Sequence, residues 1–117
     1  MAAKDVGQGL VELCKRGAFE EAINKYYHDS IVSVEPMGEP REVNGIEAVL
    51  GKLAWWHENF EVHSATTEGP YINGDEFAVV FKLDTTMKAT GERSSMEEVA
   101  VYTVKDDKIV HERFLMG

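Results

Sequence analysis

A chain of 117 residues with a formal net charge of -9 suits one domain around one core. It shows no basic stripe, which argues against nucleic-acid phosphate and anionic membrane surfaces as partners. No apolar run approaches the ~20 residues of a membrane span, and Met1-Ala2-Ala3-Lys4-Asp5 is not the start of a signal peptide. The one cysteine, Cys14, allows no intrachain disulfide, so the expected compartment is the cytoplasm. Cys14 falls on an apolar helical stripe and is read as a buried packing residue.

In chain order, Val6, Leu10, Leu13 and Cys14 recur at helical spacing, which predicts a helix over 4–16. Gly7 and Gly9 weaken its first turns, and Gly17 ends it after Lys15 and Arg16. A second helix starts near Ala18, with Phe19, Ala22, Ile23, Tyr26 and Tyr27 on its buried side. His28-Asp29-Ser30 breaks it, 31–35 alternates as a short strand stopped by Pro36, and 37–42 reads as a flap. A third helix is expected over 46–59, with Asn44 as N-cap and Ile46, Val49, Leu50, Leu53, Trp56 and Phe60 as its stripe. His57 falls mid-stripe and Trp55 nearly opposite.

A strand follows over 61–71, with a bend at Gly69-Pro70. Asn73-Gly74 is a hairpin turn signal. Beyond it come long strands over 76–84 and 93–104, a turn at Lys105-Asp106-Asp107-Lys108, and a last strand over 109–116. Placing the middle loop at 88–91 sets Leu83 opposite Met96, Phe81 opposite Glu98, Val79 opposite Ala100 and Phe77 opposite Tyr102. One face then carries an apolar wall with one carboxylate and one phenol. Turning the last hairpin at Asp106-Asp107 sets His111 opposite Tyr102 and Arg113 opposite Ala100. In that register Glu112 shares the outer face with Val99, Val101, Val110 and Phe114, a patch that a homodimer would bury, and whether Glu112 and Arg113 line the pocket or fix the interface stays open.

The element order, together with the phrases Gly17 to Ala22, Tyr27 to Ile31, Val43 to Ala48, Phe77 to Asp84 and Lys108 to Phe114, resembles the SnoaL-like family. That family shares its fold with nuclear transport factor 2 and ketosteroid isomerase. The resemblance spans nearly the whole chain. It implies an α+β cone, in which a curved mixed or antiparallel sheet wraps on three helices, with a pocket at the wide end and frequent dimerisation through the sheet. It implies no single reaction, because relatives include isomerases, cyclases, epoxide hydrolases and non-catalytic binders.

The candidate catalytic residues are Glu98, Tyr102, Glu35 and His57. Glu98 in an apolar wall is expected to have its charged form disfavoured, which suits an acid or base at neutral pH. Tyr102 or Tyr26 would hydrogen-bond an enolate oxygen. Alternatively, Glu98 bonds a tyrosine or histidine and closes the core, and His57 is a satisfied core histidine. Tyr26, Leu53, Trp56, His63, Phe77, Phe81 and Met96 are the expected ligand-lining residues. No HxxxH or HxH spacing appears, so neither metal nor cofactor is expected. Asp84 and Arg113 offer only fragments of an Asp-Arg-Asp epoxide relay. The expected function is proton transfer on a small apolar carbonyl compound, or non-catalytic binding of such a ligand.

Overall fold

A computed structural model describes residues 2–116. The elements are α1 (Ala2–Lys15), α2 (Phe19–Tyr26), β1 (Tyr27–Val34), β2 (Glu42–Asn44), α3 (Ile46–Asn59), β3 (Phe60–Asn73), β4 (Glu76–Met87), β5 (Arg93–Lys105) and β6 (Lys108–Met116). The strands form one sheet in the order β2-β1-β6-β5-β4-β3, in which β1 runs parallel to β6 and all other neighbours are antiparallel. The sheet is open and, with the helices on its inner face, makes the expected cone.

Local chemistry accounts for the joints. Gly17 takes φ 74°, and the N–H groups of Gly17 and Ala18 bond back to Cys14 and Leu13 at 3.0 and 2.9 Å. This is the left-handed helix stop that glycine adopts without steric cost. Gly9 serves close approach instead. A Cβ there would sit 1.8 Å from the Tyr26 hydroxyl, so glycine lets α2 lie against α1. The core joins Val6, Leu10, Leu13 and Cys14 of α1 and Ile23 of α2 to Ile31, Phe77, Val79, Ala100, Tyr102 and Ile109 of the sheet.

Several expectations are corrected. Tyr27 is not the last turn of a helix: β1 begins there and runs through His28-Asp29-Ser30, because Tyr27 already pairs with Ile109. A short β2 covers Glu42–Asn44, and Gly45, not Asn44, caps α3. The β3–β4 turn sits one residue later than Asn73-Gly74, since Asn73 pairs with Glu76. The bend at Gly69-Pro70 is a register shift between Glu68 and Tyr71.

The β4–β5 register is the expected one, with Leu83 opposite Met96, Phe81 opposite Glu98, Val79 opposite Ala100 and Phe77 opposite Tyr102. The β5–β6 register is not. Asp106 and Asp107 do form the turn, both at positive φ, and Val104 pairs with Ile109. The pairing then shifts, so that Thr103 meets His111, Tyr102 meets Glu112 and Ala100 meets Phe114. One residue bulges out of β6, and each side chain beyond it changes face. Glu112 and Phe114 therefore belong to the inner face, and His111 and Arg113 to the outer one.

Candidate functional site

Exposure along the inner face divides the cone into a sealed end and an open end. Phe77, Val79, Ala100, Tyr102 and Glu112 are fully buried. Phe114, opposite Ala100, and Leu83, Met96 and Glu98, one or two pairs further along, are only half-buried, and Met116 is 42% exposed. β4, β5 and β6 stay paired there, with Glu98 between Phe81 and Met116, so Glu98 stands where an apolar wall meets water.

At the sealed end, β6 aims the Glu112 carboxylate at β1. The Tyr27 hydroxyl donates to Glu112 Oε1, and Ser33 Oγ donates to Oε2 at 2.7 Å. Lys52 of α3 donates to Ser33 Oγ at 2.7 Å and to Glu35 Oε2 at 2.5 Å. Its ammonium also lies 5.4 Å from the centroid of the Phe114 ring. Both oxygens of Glu112 thus have donors, as a buried carboxylate requires. Burial still pushes its carboxyl above the ordinary range, while Ser33 and Tyr27 pull the other way. The Tyr27 and Tyr102 phenols are pushed well up by burial and then by Glu112. The Cys14 thiol is pushed up to about 12 by burial and Glu112, which makes it inert packing. Among the described residues, Thr85 Oγ1 is the one buried side-chain polar atom without a hydrogen-bond partner.

Glu98 is the contrast. It stands between Phe81 and Met116 and makes no hydrogen bond to a described side chain. Its carboxyl is pushed up to about 7, first by desolvation and then by the charges of Glu35 and Glu112, with Lys52 opposing. It can therefore take or give a proton near neutrality.

The structure brings Glu98 and Glu35 into one charged group with Lys52 and Glu112. It places Phe81 and Met96 on the same face as Glu98, and Phe77 and Tyr102 behind them, stacked at 4.8 Å in the sealed core. The other expected site residues lie elsewhere. Tyr26 packs its hydroxyl on Gly9. His57 is exposed, not mid-stripe, and sits 6.4 Å from the Phe19 ring. With Leu53 it lines an outer groove of about 450 Å³ between α2 and α3. The reason is that α3 turns Val49 into the core and Lys52 toward Ser33, which rotates His57 out. Trp56 stacks on Phe60 at 5.3 Å, and Trp55 is 58% exposed. His63 is exposed and bonds Thr86 Oγ1 at 2.7 Å. A second concavity, about 510 Å³, lies on the outer sheet face against Val101, Thr103, His111 and Arg113. Glu98 lines neither concavity. No group of three or more His, Cys, Asp or Glu among the described residues could hold a metal ion. Asp84 pairs with Arg93 through two bonds of 3.0 and 2.9 Å, not with Arg113, so no Asp-Arg-Asp relay forms there.

The sequence reading gives no role to Ser33 or Lys52, and it places Tyr27 on the buried side of a helix and Glu112 among the strand carboxylates of open facing. Ser33 shares strand parity with the buried Ile31, a usable signal. The doublet Ile109-Val110 interrupts strict alternation and could have flagged the bulge that turns Glu112 inward. Lys52 gave no sign, because a lysine beside an apolar stripe usually snorkels to water.

Comparison with known proteins agrees with this geometry. A Mesorhizobium loti crystal structure, described as a candidate SnoaL-like polyketide cyclase with carbohydrate phosphatase in brackets, is 48% identical, covers 98% of this chain and 99% of its own, and superposes with TM-score 0.94. A candidate isomerase from Bacillus subtilis shares the fold at 16% identity and TM-score 0.77, covering 99% of this chain and 86% of its own. A candidate polyketide cyclase from Xanthomonas campestris does so at 12% and 0.72, covering 97% and 88%. No curated protein matches. No described helix is long and apolar enough to cross a membrane. A family model described as a SnoaL-like domain matches residues 1–116, and the chain belongs to that family.

Proposed function

We propose that the open end of the cone is a proton-transfer site of the isomerase or cyclase type, acting on a small hydrophobic carbonyl compound. The observation that carries this reading is Glu98: half-buried in an apolar wall, without a hydrogen-bond partner among the described residues, and with a carboxyl pushed up to about 7 by desolvation. A carboxylate with that basicity removes a proton beside a carbonyl and returns it to another carbon. Phe81, Met96 and Phe114 offer the apolar seat. The protein works in the cytoplasm, as a homodimer that covers Val80, Val99, Val101 and Leu115 of the outer face.

A second reading, non-catalytic binding of the same kind of ligand, is favoured by one observation. Neither candidate phenol reaches the open end: Tyr102 is 2% exposed, and Tyr26 is held at Gly9. Exchange of the α-protons of 2-tetralone, a hydrophobic bicyclic ketone, followed by NMR in D₂O, separates the two. Proton transfer predicts exchange above the buffer rate, lost by roughly 10²-fold or more in Glu98→Gln. Binding without exchange supports the second reading.

A further inference from the structure

We propose that Lys52 is the group that receives the carbonyl oxygen at this site, and that the substrate is a neutral ketone or ester and not a carboxylic acid. The proposal rests on the proton-transfer reading of Glu98. An enolising site needs a donor where negative charge develops, and both tyrosines proposed for it are packed elsewhere. Among the described residues, Lys52 is a cation bonded to Ser33 and Glu35 and lying over the inner-face Phe114. An ammonium carries three N–H donors. Two are directed at Ser33 Oγ and Glu35 Oε2, at 2.7 and 2.5 Å, which leaves one. The side chain is 28% exposed, so the remaining donor is within reach of a ligand.

The anchoring explains why so much polar structure is built behind it. Glu112, itself held by Tyr27, orients the Ser33 hydroxyl, and Ser33 then accepts from Lys52. Glu35 holds the ammonium from the other side. Two fixed acceptors restrict where the cation can go, which is the preorganisation an oxyanion donor requires. Phe114 lies under the ammonium and continues the apolar wall from β6.

The same charges set the substrate class. Glu35 pairs with the one ammonium and the carboxyls of Glu98 and Glu112 lie near enough to feel its charge, so the site has no net positive charge to offer, and the chain as a whole stands at -9. A carboxylate ligand would meet repulsion from these groups. A neutral carbonyl acquires its charge only as the reaction proceeds, next to Lys52. In the step itself the Glu98 carboxylate takes the proton on the carbon beside the carbonyl. The C–H electron pair becomes the carbon–carbon double bond, and the carbonyl pair moves onto oxygen beside the ammonium. Return of the proton from Glu98 to carbon restores both, with no co-reactant.

The test is 2-tetralone exchange with wild type, Lys52→Met, Lys52→Arg and Glu98→Gln, alongside inhibition of wild type by 2-naphthol, an enol mimic, and by 2-naphthoate, a carboxylate of the same skeleton. Lys52→Met is expected to lower kcat by roughly 10²-fold, as loss of one oxyanion donor does, with KM changed by less than about threefold, the pattern of a group used in the transition state. Lys52→Arg should recover most of the loss, and 2-naphthol should inhibit where 2-naphthoate does not. Exchange at the wild-type rate in Lys52→Met, with Glu98→Gln inactive, overturns the role of Lys52 and leaves that of Glu98 standing. Equal inhibition by 2-naphthoate overturns the substrate class. No exchange by wild type ends the proton-transfer reading and this one with it. Should Lys52→Met fail to fold, Lys52→Gln, which keeps the reach and polarity of the side chain without its charge, takes its place: exchange at the wild-type rate in that folded variant overturns the role of Lys52, and the expected loss upholds it.

Discussion

The two ends of the inner face bury carboxylates in opposite ways. Glu112, at the sealed end, is 2% exposed and has both oxygens hydrogen-bonded. Glu98, two pairs away on the neighbouring strand, keeps some water and has no bonded partner among the described residues. A buried carboxylate with donors on each oxygen is a structural hub, because removing it strands every donor around it. One pressed against apolar side chains without donors is a poised acid or base. The family shape alone separates neither case; the hydrogen bonds do.

The largest expected effect falls on the hub. Glu112→Ala leaves the Tyr27 and Ser33 hydroxyls without an acceptor and opens a void beside Ile31 and Tyr102. A loss of roughly 2–4 kcal/mol in denaturant unfolding is expected. A loss near zero would mean that the sealed end is no more committed than the open one.

A smaller effect, with a pH signature, is expected at Glu98. Its folded carboxyl titrates at about 7 against an ordinary 4.5, so between those values the folded chain holds more protons than the unfolded chain. Stability is then highest below about 4.5 and declines as pH rises toward 7. Glu98→Gln should flatten part of that decline and leave the share that Glu112, shifted in the same direction, contributes. The gain over wild type at about pH 8, relative to pH 5, is expected to be on the order of 1–2 kcal/mol, discounted for the water that still reaches Glu98. Parallel profiles for wild type and variant would place Glu98 among ordinary solvated carboxylates.

The same contrast explains what could be read from the sequence. The β4–β5 pairing followed from two turns and the alternation of Phe77, Val79 and Phe81, so Glu98 was found on the inner wall. The facing of Glu112 is not legible in the same way, because its register depends on a bulge just after Ile109, and strand periodicity counts residues without showing where one is skipped. Tyr27 fits a helix equally well by its spacing from Ile23; its pairing with Ile109 decides otherwise. His57 matched the apolar stripe of α3, yet the inward direction of that helix is set by Val49 and by the bond from Lys52 to Ser33, which no helical wheel contains. Long-range partners thus account for each of these misplacements, whereas turns and alternation suffice for the β4–β5 hairpin and the cone is what the family resemblance implies.

The central claim is that Glu98 is a carboxyl poised near neutrality at the open end. Its most direct test is the ¹³C NMR titration of glutamate side-chain carboxyls, with the Glu98 signal assigned by its absence in Glu98→Gln. The expected midpoint is about 7. A midpoint at the ordinary 4.5 would contradict it.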